Sequence, residues 1–357
     1  MSPETEGVPC VWMRGGTSKG GFFLASDLPA DPAARDDLLL RVMGTPDPRQ
    51  IDGMGGATSL TSKVAIVAPS RRSDADVEYL FLQLGVDAPT VSDRQNCGNM
   101  LAGVGPFAVE TGLVTATGDS ARVRIHQVNS NSIATAVFPV RDGRPVYSGD
   151  ARIDGVPGTA APIALTFADT AGSATSGLYP TGRVRDEIDG LAVTCVDNGM
   201  PVVVSTAASF GVSGYESAAE LAENRTLLER VDTVRRKAAG LMGLGEVSDA
   251  PVPKTVLLAP PRDGGLVCAR SFIPVRPHTA LGVFAAISAA SAVLTPGAVG
   301  HEFRGERAER RVDVEHPSGH LLVDVDLDIT ADPPAVRSAG VLRTARKLFA
   351  GKAFPRA

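Results

Sequence analysis

Residues 96–112 read NCGNMLAGVGPFAVETG and form an almost continuous run of apolar side chains. No polar stripe interrupts the run between Gly98 and Thr111 until its last turn, and a helix that is apolar on nearly all sides is normally buried. Asn96 and Asn99 mark the start of the helix, and Gly112 supplies its stop. The stretch therefore predicts a helix in the interior of a domain.

A second helix of this kind is predicted from His278 to Leu294, and the segments before the two helices follow the same order. In the first half, Lys63 opens a strand, a second strand follows, and the apolar helix comes next. In the second half, Lys254 opens the equivalent series. This repeat predicts an α+β fold of two pseudo-symmetric domains, each a β-barrel-like sheet around a central apolar helix.

The remaining elements follow from side-chain periodicity. Strands are predicted at Val8 to Met13, Gly21 to Leu24, Lys63 to Ala68, Val77 to Leu84, Thr255 to Ala259, Leu266 to Ile273, Arg311 to Glu315 and His320 to Asp328. Amphipathic helices are predicted at Pro32 to Met43 and Glu216 to Leu244, with a C-terminal helix around Thr344 to Ala350.

Length and composition limit the class of protein. A chain of 357 residues is more than twice a typical domain of about 150 residues, which favours two domains. Hydrophobic residues make up 43% and charged residues 21%, an ordinary mixture for a folded enzyme or binding protein. The net charge of −5 argues against a nucleic-acid-binding protein, but a local positive cluster can still hold a small anion.

The four cysteines, Cys10, Cys97, Cys195 and Cys268, form no CxxC pair and have no histidine at zinc-ligand spacing. Neither a disulfide framework nor a metal site is expected, and a reducing cytoplasm is the predicted location. No signal peptide is predicted, and the longest apolar stretch is too short to span a bilayer, so no membrane association is expected. Cys10, Cys195 and Cys268 lie in strands and are expected to be core residues.

Lysine is rare, because only six of the 35 basic residues are lysines. One of them belongs to the run Arg14, Gly15, Gly16, Thr17, Ser18 and Lys19, which directly follows a strand. Glycines that expose backbone N–H groups, together with hydroxyls and an ammonium, are typical of an anion site. The spacing of a Walker A loop is not met, so a carboxylate is a better candidate than ATP or GTP, and a purely structural turn stays open.

Lys63 follows a glycine-rich run at Asp52 to Gly56 and opens an apolar strand. An amine that is partly removed from water at such a position is a candidate general base. The alternative is a solvated lysine at the beginning of a strand.

Cys97 lies at the predicted start of the buried helix, within Asn96-Cys97-Gly98-Asn99. The positive end of a helix favours a thiolate there, and the N–H groups of Gly98 and Asn99 can bind a carboxylate. A free cysteine is more often a small core residue, but the polar and glycine neighbours favour a functional role.

In the second half, His278 and Thr279 are predicted to open the second apolar helix. His278 is a candidate ligand or acid/base group, and a capping or packed histidine is an equal alternative. The turn at His316 to Gly319 is a weaker candidate.

Three motifs together resemble the 2-methylaconitate isomerase and 4-oxalomesaconate tautomerase (PrpF-like) family, which has the diaminopimelate-epimerase-like fold. They are the run from Met13 to Gly20, the run from Asp52 to Ala65, and the run from Gln95 to Phe107. The resemblance continues in Asp197 to Pro201, His316 to Gly319 and Arg343 to Arg346, so it covers most of the chain.

The resemblance implies an N-terminal domain of residues 1–140, to which residues 336–357 return, and a C-terminal domain of residues 141–335, with the active site in the cleft between them. It places the two catalytic residues at Lys63 and Cys97. Related epimerases use a thiol at each central helix; because no cysteine is predicted at the second helix start, amino-acid epimerisation is disfavoured.

The function expected from this resemblance is a cofactor-independent isomerase that moves a proton across an allylic system in a small anionic di- or tricarboxylate. The compact length favours 4-oxalomesaconate, from the breakdown of gallate- or protocatechuate-type aromatic compounds. The alternatives are 2-methylaconitate isomerisation in propionate metabolism and a non-catalytic carboxylate-binding protein. One or two bases remain open, and the sequence is compatible with a homodimer.

The predicted substrate-binding residues are side chains and N–H groups at three places in the sequence. They are Arg14, Gly16, Thr17, Ser18 and Lys19 in the first loop, Asn96, Gly98 and Asn99 at the first helix, and His278 and Thr279 at the second.

Overall fold

The computed structural model describes residues 6–93, 96–248, 250–304 and 310–357. The strands are β1 (Val8–Gly15), β2 (Ser18–Leu24), β3 (Lys63–Pro69), β4 (Val77–Leu84), β5 (Val91–Ser92), β6 (Ser120–Gln127), β7 (Ser132–Arg141), β8 (Arg144–Pro145), β9 (Pro162–Phe167), β10 (Asp186–Ile188), β11 (Leu191–Asp197), β12 (Pro201–Thr206), β13 (Lys254–Ala259), β14 (Val267–Ile273), β15 (Arg276–Pro277), β16 (Arg311–His316), β17 (Gly319–Asp328) and β18 (Ala335–Ala353). The α-helices are α1 (Pro32–Met43), α2 (Gly98–Glu110), α3 (Ala218–Glu223), α4 (Arg225–Leu241) and α5 (Val283–Leu294).

The described residues fall into two compact units. Unit 1 comprises the residues up to Thr166 together with Leu342–Ala357, and unit 2 comprises Phe167–Val341. The two units repeat one order of strand pairing. In unit 1, β1–β2, β3–β4 and β6–β7 are antiparallel while β2–β3 and β4–β6 are parallel. In unit 2, β11–β12, β13–β14 and β16–β17 are antiparallel while β12–β13 and β14–β16 are parallel. This repetition confirms the predicted pseudo-symmetric α+β fold.

Unit 1 is a closed sheet around α2. Its strands pair in the order β1, β2, β3, β4, β6, β7, β9 and β18, and β18 returns to β1. The helix contacts β1, β2, β3, β4, β6 and β7, and eleven of its thirteen residues are buried. A Cβ at Gly103 would lie 2.6 Å from the Phe22 ring, and one at Gly105 would lie 2.7 Å from the Phe138 ring. Glycine therefore lets the sheet close tightly on the helix.

The surface helix α1 shows how local sequence sets element ends. Asp31 caps it by accepting a hydrogen bond from the Ala34 N–H at 2.8 Å, and Pro32 occupies the first turn, where a missing N–H costs nothing. The helix ends at Gly44, whose φ of +78° favours glycine. Both predicted boundaries are confirmed.

Unit 2 surrounds α5, which contacts β11, β12, β13, β16 and β17. Two buried serines of α5 bind the turn after β11. Ser288 accepts from the Asn198 N–H at 3.0 Å, and Ser291 accepts from the Asn198 side chain at 2.8 Å. The Asp197–Pro201 motif is therefore part of the structural contact between a turn and the buried helix.

Three secondary-structure predictions were wrong. The predicted helix from Glu216 to Leu244 is two helices, because the Asn224 side chain accepts from the Leu227 N–H at 3.1 Å and begins a new helix. Residues 344–350 are strand, because they belong to the stretch of β18 that pairs with β1.

The third error concerns the start of α5. The helix begins at Val283 rather than at His278, because the His278 N–H donates to the Ser271 carbonyl at 2.8 Å and continues the strand pairing. His278 and Thr279 therefore precede the helix. No cysteine lies at its actual start, so the argument against two-thiol epimerisation is unaffected.

Candidate active site

Lys63 is the first residue of β3, and only 7% of its surface is exposed. Its Nζ donates to Gln83 Oε1 at 2.5 Å and lies 5.0 Å from the centre of the Phe81 ring. Within the described part of the chain, no carboxylate lies within ion-pair distance of this amine. Lys63 is thus a buried amine held by a neutral amide and an aromatic face.

The amide of Gln83 is oriented by backbone carbonyls. Its Nε2 donates to the carbonyl of Ser62 at 3.0 Å and to those of Ser59 and Leu84 at 3.2 Å each. These contacts leave Oε1 to accept from Lys63. Because an amide oxygen carries no formal charge, it positions the amine without forming an ion pair.

Cys97 is the N-cap residue of α2, and no side chain caps this helix end. The N–H groups of Gly98 and Asn99 have no acceptor among the described residues, so they are free to bind an anion. Cys97 is partly exposed, whereas the other three cysteines are buried. Burial raises the pKa of Cys10 and Cys195 to about 12 and also raises that of Cys268. The sequence-based assignment of these three to the core is confirmed.

Lys63 and Cys97 border one face of β4. Tyr79, Phe81 and Gln83 alternate along this strand and therefore share a face. The Tyr79 hydroxyl donates to the Cys97 carbonyl at 3.4 Å, while Phe81 and Gln83 contact Lys63. Burial raises the pKa of Tyr79 well above its usual value, so its hydroxyl remains a neutral donor.

The turn between β1 and β2 packs on the start of α2. The Asn99 side chain donates to Thr17 Oγ1 at 3.0 Å, and a Cβ at Gly16, where φ is +51°, would overlap the Asn99 side chain. The Gly16 N–H donates to the Thr344 carbonyl, and the Lys19 N–H donates to that of Leu60. These two N–H groups are already bonded, so anion binding by this loop would fall to its side chains.

A cavity of about 740 Å³ lies beside this turn in unit 1. Its lining includes Arg14, Thr17, Ser18, Lys19 and Arg346. Burial lowers the pKa of Arg14, and Arg346 adds to the effect through like-charge repulsion. The Arg14 guanidinium donates to the carbonyls of residues 16 and 344, at 2.8 and 3.0 Å. The cavity is basic, but its lining includes neither of the two predicted catalytic residues.

His278 and Thr279 belong to unit 2. His278 Nδ1 accepts from the Ala280 N–H at 2.9 Å. Burial lowers the pKa of His278, and the nearby Lys254 lowers it further. His278 therefore carries a neutral imidazole that is partly buried.

Sequence reasoning missed Gln83, which contacts Lys63, and two side chains near the start of α2, Tyr79 and Arg343. Tyr79 and Gln83 lie on a predicted strand, but only strand pairing shows which residues they face. Arg343 belongs to a quoted motif and has 8% of its surface exposed. Asn96, which was predicted, has a buried Oδ1 with no partner among the described residues.

The described residues contain no group of three or more His, Cys, Asp or Glu side chains placed to hold a metal ion. None of their helices is both long and apolar enough to cross a membrane.

The PrpF protein family model matches residues 6–355. The chain belongs to the PrpF family. It is 53% identical over 351 residues to a (4E)-oxalomesaconate Delta-isomerase of Novosphingobium sp. (strain KA1), covering 98% of each protein. It is 52% identical to a 4-oxalomesaconate tautomerase of Pseudomonas putida, covering 96% of this chain and 95% of that protein.

A solved structure shows the same fold. The crystal structure of a methylitaconate-delta-isomerase superimposes with a TM-score of 0.88 at 35% identity, covering 96% of this chain and 94% of that one. Since these PrpF relatives are isomerases along their whole length, this chain is an isomerase, and the predicted enzyme class is confirmed. The non-catalytic alternative is set aside.

Proposed function

We propose that this PrpF isomerase catalyses a 1,3-allylic proton shift in an unsaturated tricarboxylate, with 4-oxalomesaconate as the substrate. The single observation that carries the proposal is the arrangement of Lys63 and Cys97 along one face of β4. One is a buried amine without a carboxylate partner in the described chain, and the other is a thiol at an uncapped helix start. The two relatives named for 4-oxalomesaconate, at 53% and 52% identity, supply the substrate.

The reaction needs one proton to leave a carbon and one to return to another. The neutral amine of Lys63 takes a proton from the saturated carbon beside the C=C bond and becomes an ammonium. The C–H electron pair spreads into the conjugated system and forms a dienolate. Cys97 gives its thiol proton to the far carbon, which completes the shift of the double bond, and the thiolate regains a proton from the ammonium directly or through water.

The helix start stabilises the charge that this step creates. The free N–H groups of Gly98 and Asn99 provide donors that are already oriented, and preorganised donors stabilise developing negative charge without reorganisation. Arg14, Lys19 and the hydroxyls of the β1–β2 turn are proposed to bind the carboxylates. Their basic cavity supports this assignment.

The roles of Asn96, His278 and Thr279 stay predictions. Asn96 offers a buried oxygen without a partner among the described residues, and that oxygen would accept a hydrogen bond from a substrate hydroxyl or a protonated carboxyl. We also place the enzyme in the cytoplasm, because a partly exposed free thiol persists in a reducing compartment.

Proton NMR in D₂O tests the proton shift directly. We expect 4-oxalomesaconate to be converted with deuterium entering at the allylic carbon, and 2-methylaconitate, assayed in parallel, to be converted more slowly. Retained substrate hydrogen indicates that a single base carries the proton between the two carbons, whereas complete wash-in indicates either two groups or one group that exchanges its proton with solvent. Conversion with neither wash-in nor intramolecular transfer would contradict the mechanism, and faster turnover of 2-methylaconitate would contradict the substrate.

A further inference from the structure

Arg343 is a buried cation whose charge has no partner on the described chain. It lies in the part of β18 that belongs to unit 1, and 8% of its surface is exposed. Its Nη1 donates to the Leu342 carbonyl at 3.0 Å, while its buried Nε has no hydrogen-bond partner. No carboxylate of the described residues forms an ion pair with it. Burying a charge without a partner costs free energy of folding. We therefore expect Arg343 to interact with an anion that forms or binds during the reaction.

Strand pairing shows which way the side chain points. Arg343 and Ala345 are two residues apart on β18 and share a face, and Ala345 pairs with Gly15 on β1. On that face, a Cβ at Gly15 would lie in severe overlap with the Asn99 carbonyl oxygen and 3.2 Å from Met100 Cα. Arg343 therefore faces the first turn of α2, the turn that Cys97 caps.

The charges of Arg343 and Cys97 are close enough to interact. Burial lowers the pKa of Arg343 to about 10, and a negative charge on Cys97 opposes this shift. Tyr79 of β4 also lies close enough to interact with Cys97, and it is neutral for the reason given above. The Arg343 guanidinium is thus a charged neighbour of the thiol that is suited to balance a thiolate.

We propose that Arg343 is a positioning residue that stabilises the thiolate of Cys97 when this residue gives its proton to the substrate dienolate. In that step the S–H bond breaks, its electron pair stays on sulfur, and the dienolate electron pair forms the new C–H bond. Arg343 and the positive end of α2 both favour the resulting charge. The inference rests on the proposed role of Cys97.

The test measures the thiol without any substrate, so it is independent of the isomerisation assay. Iodoacetamide labelling of Cys97 is followed by mass spectrometry of its peptide in the wild type and in Arg343→Met, Arg343→Lys and Arg337→Met. Arg337 is a matched control, because it lies on the same strand but is exposed and bound to Asp328 at 2.8 Å.

We expect Arg343→Met to slow labelling of Cys97 at pH 7 about tenfold, with rates converging at high pH, where thiols ionise without help. Arg343→Lys should recover part of the rate, and Arg337→Met should match the wild type. In the isomerase assay, kcat should fall in Arg343→Met with little change in KM.

An unchanged labelling rate in a folded Arg343→Met protein would overturn the inference. If KM rises in the same variant, Arg343 is a carboxylate ligand instead. If Arg343→Met does not fold, Arg343→Lys against Arg343→Gln gives the same comparison. If the wild type shows no isomerase activity, the proposed function is contradicted, but the labelling result can still be interpreted.

Discussion

The two units share one frame but differ in what surrounds the lysine that opens the equivalent strand. In unit 1, Lys63 contacts Phe81 and the fixed amide of Gln83. In unit 2, the side-chain amine of Lys254 has no hydrogen-bond partner among the described residues, and burial lowers its pKa to about 8. A repeated backbone therefore supplies two equivalent amines, and only the first is held in a defined place.

The residue two positions along the strand shows the same contrast. Ala65 pairs with Phe81 in unit 1, and Val256 pairs with Ser271 in unit 2. Phe81 offers its ring to the ammonium or amine of Lys63, whereas the Ser271 hydroxyl is buried without a partner in the described chain. The difference supports the proposed assignment of the acid–base groups to unit 1.

The helix starts differ as well. Cys97 caps α2, whereas Gly282 caps α5 and carries no side chain. A Cβ at Gly282 would lie 3.8 Å from Lys254 Nζ, so the amine of unit 2 lies against the bare helix start. The positive end of α5 and the amine of Lys254 meet there, while burial is the cause that lowers the pKa of Lys254.

The largest effect is expected from Lys63→Met, which should lower kcat/KM about a thousandfold, because positioned general bases contribute about 10²–10⁴ in rate. Steady-state kinetics with 4-oxalomesaconate measures it. Lys237→Met is the control, because Lys237 is exposed and bound to Asp189. The counterpart variant Lys254→Met should have a far smaller effect. Equal losses in Lys63→Met and Lys254→Met would break the contrast between the units.

The sequence was sufficient to predict the two apolar central helices, and it singled out Lys63 and Cys97, whose catalytic roles stay predictions. Apolar runs on all helix faces and the repeated order of motifs can be read directly from the sequence, and the folded structure keeps the helices that they predict. The groups that position the pair were not predictable in the same way. Strand pairing brings Gln83 and Arg343 to the site. In the sequence, Gln83 is about 20 positions from Lys63, and Arg343 is about 240 positions from the start of α2.

The errors have a related cause. Residues 344–350 have a helix-compatible composition, but pairing with β1 satisfies their backbone groups as a strand. At α5, the hydrogen bond from His278 N–H to the Ser271 carbonyl delays the helix to Val283. Tertiary hydrogen bonds overrode local preference in both places.

A smaller effect is expected on stability from Lys254→Met. An unfolded chain keeps the lysine proton up to its ordinary pKa of 10.5, whereas the folded protein releases it at about 8. The unfolded state therefore binds more protons between these values, and the wild type should gain stability as the pH rises through this window. Lys254→Met removes the burial penalty, so it should be more stable than the wild type by on the order of 1 kcal/mol at pH 7.

Melting temperatures at pH 7 and pH 9.5 measure this difference. The gain of about 2–4 °C at pH 7 should shrink at pH 9.5, where the wild-type amine is already neutral. Lys237→Met should show no such pH dependence. A loss of stability at pH 7 would show that Lys254 has a favourable partner and would narrow the contrast with Lys63.

The smallest effect is expected from Ser271→Ala. Ser271 is 2% exposed, and its hydroxyl has no hydrogen-bond partner among the described residues. Folding therefore removes water from this hydroxyl without giving it a new hydrogen bond. Alanine should therefore stabilise unit 2 by up to about 1 kcal/mol. Ser205→Ala is the matched control, because Ser205 is equally buried but donates to the Ala192 carbonyl at 2.8 Å, and its loss should cost about 1 kcal/mol. Urea unfolding of both variants measures the two signs. If Ser271→Ala destabilises the protein as Ser205→Ala does, the Ser271 hydroxyl forms a hydrogen bond. Lys254 of unit 2 then lies in a polar environment of its own, which differs from that of Lys63 in unit 1.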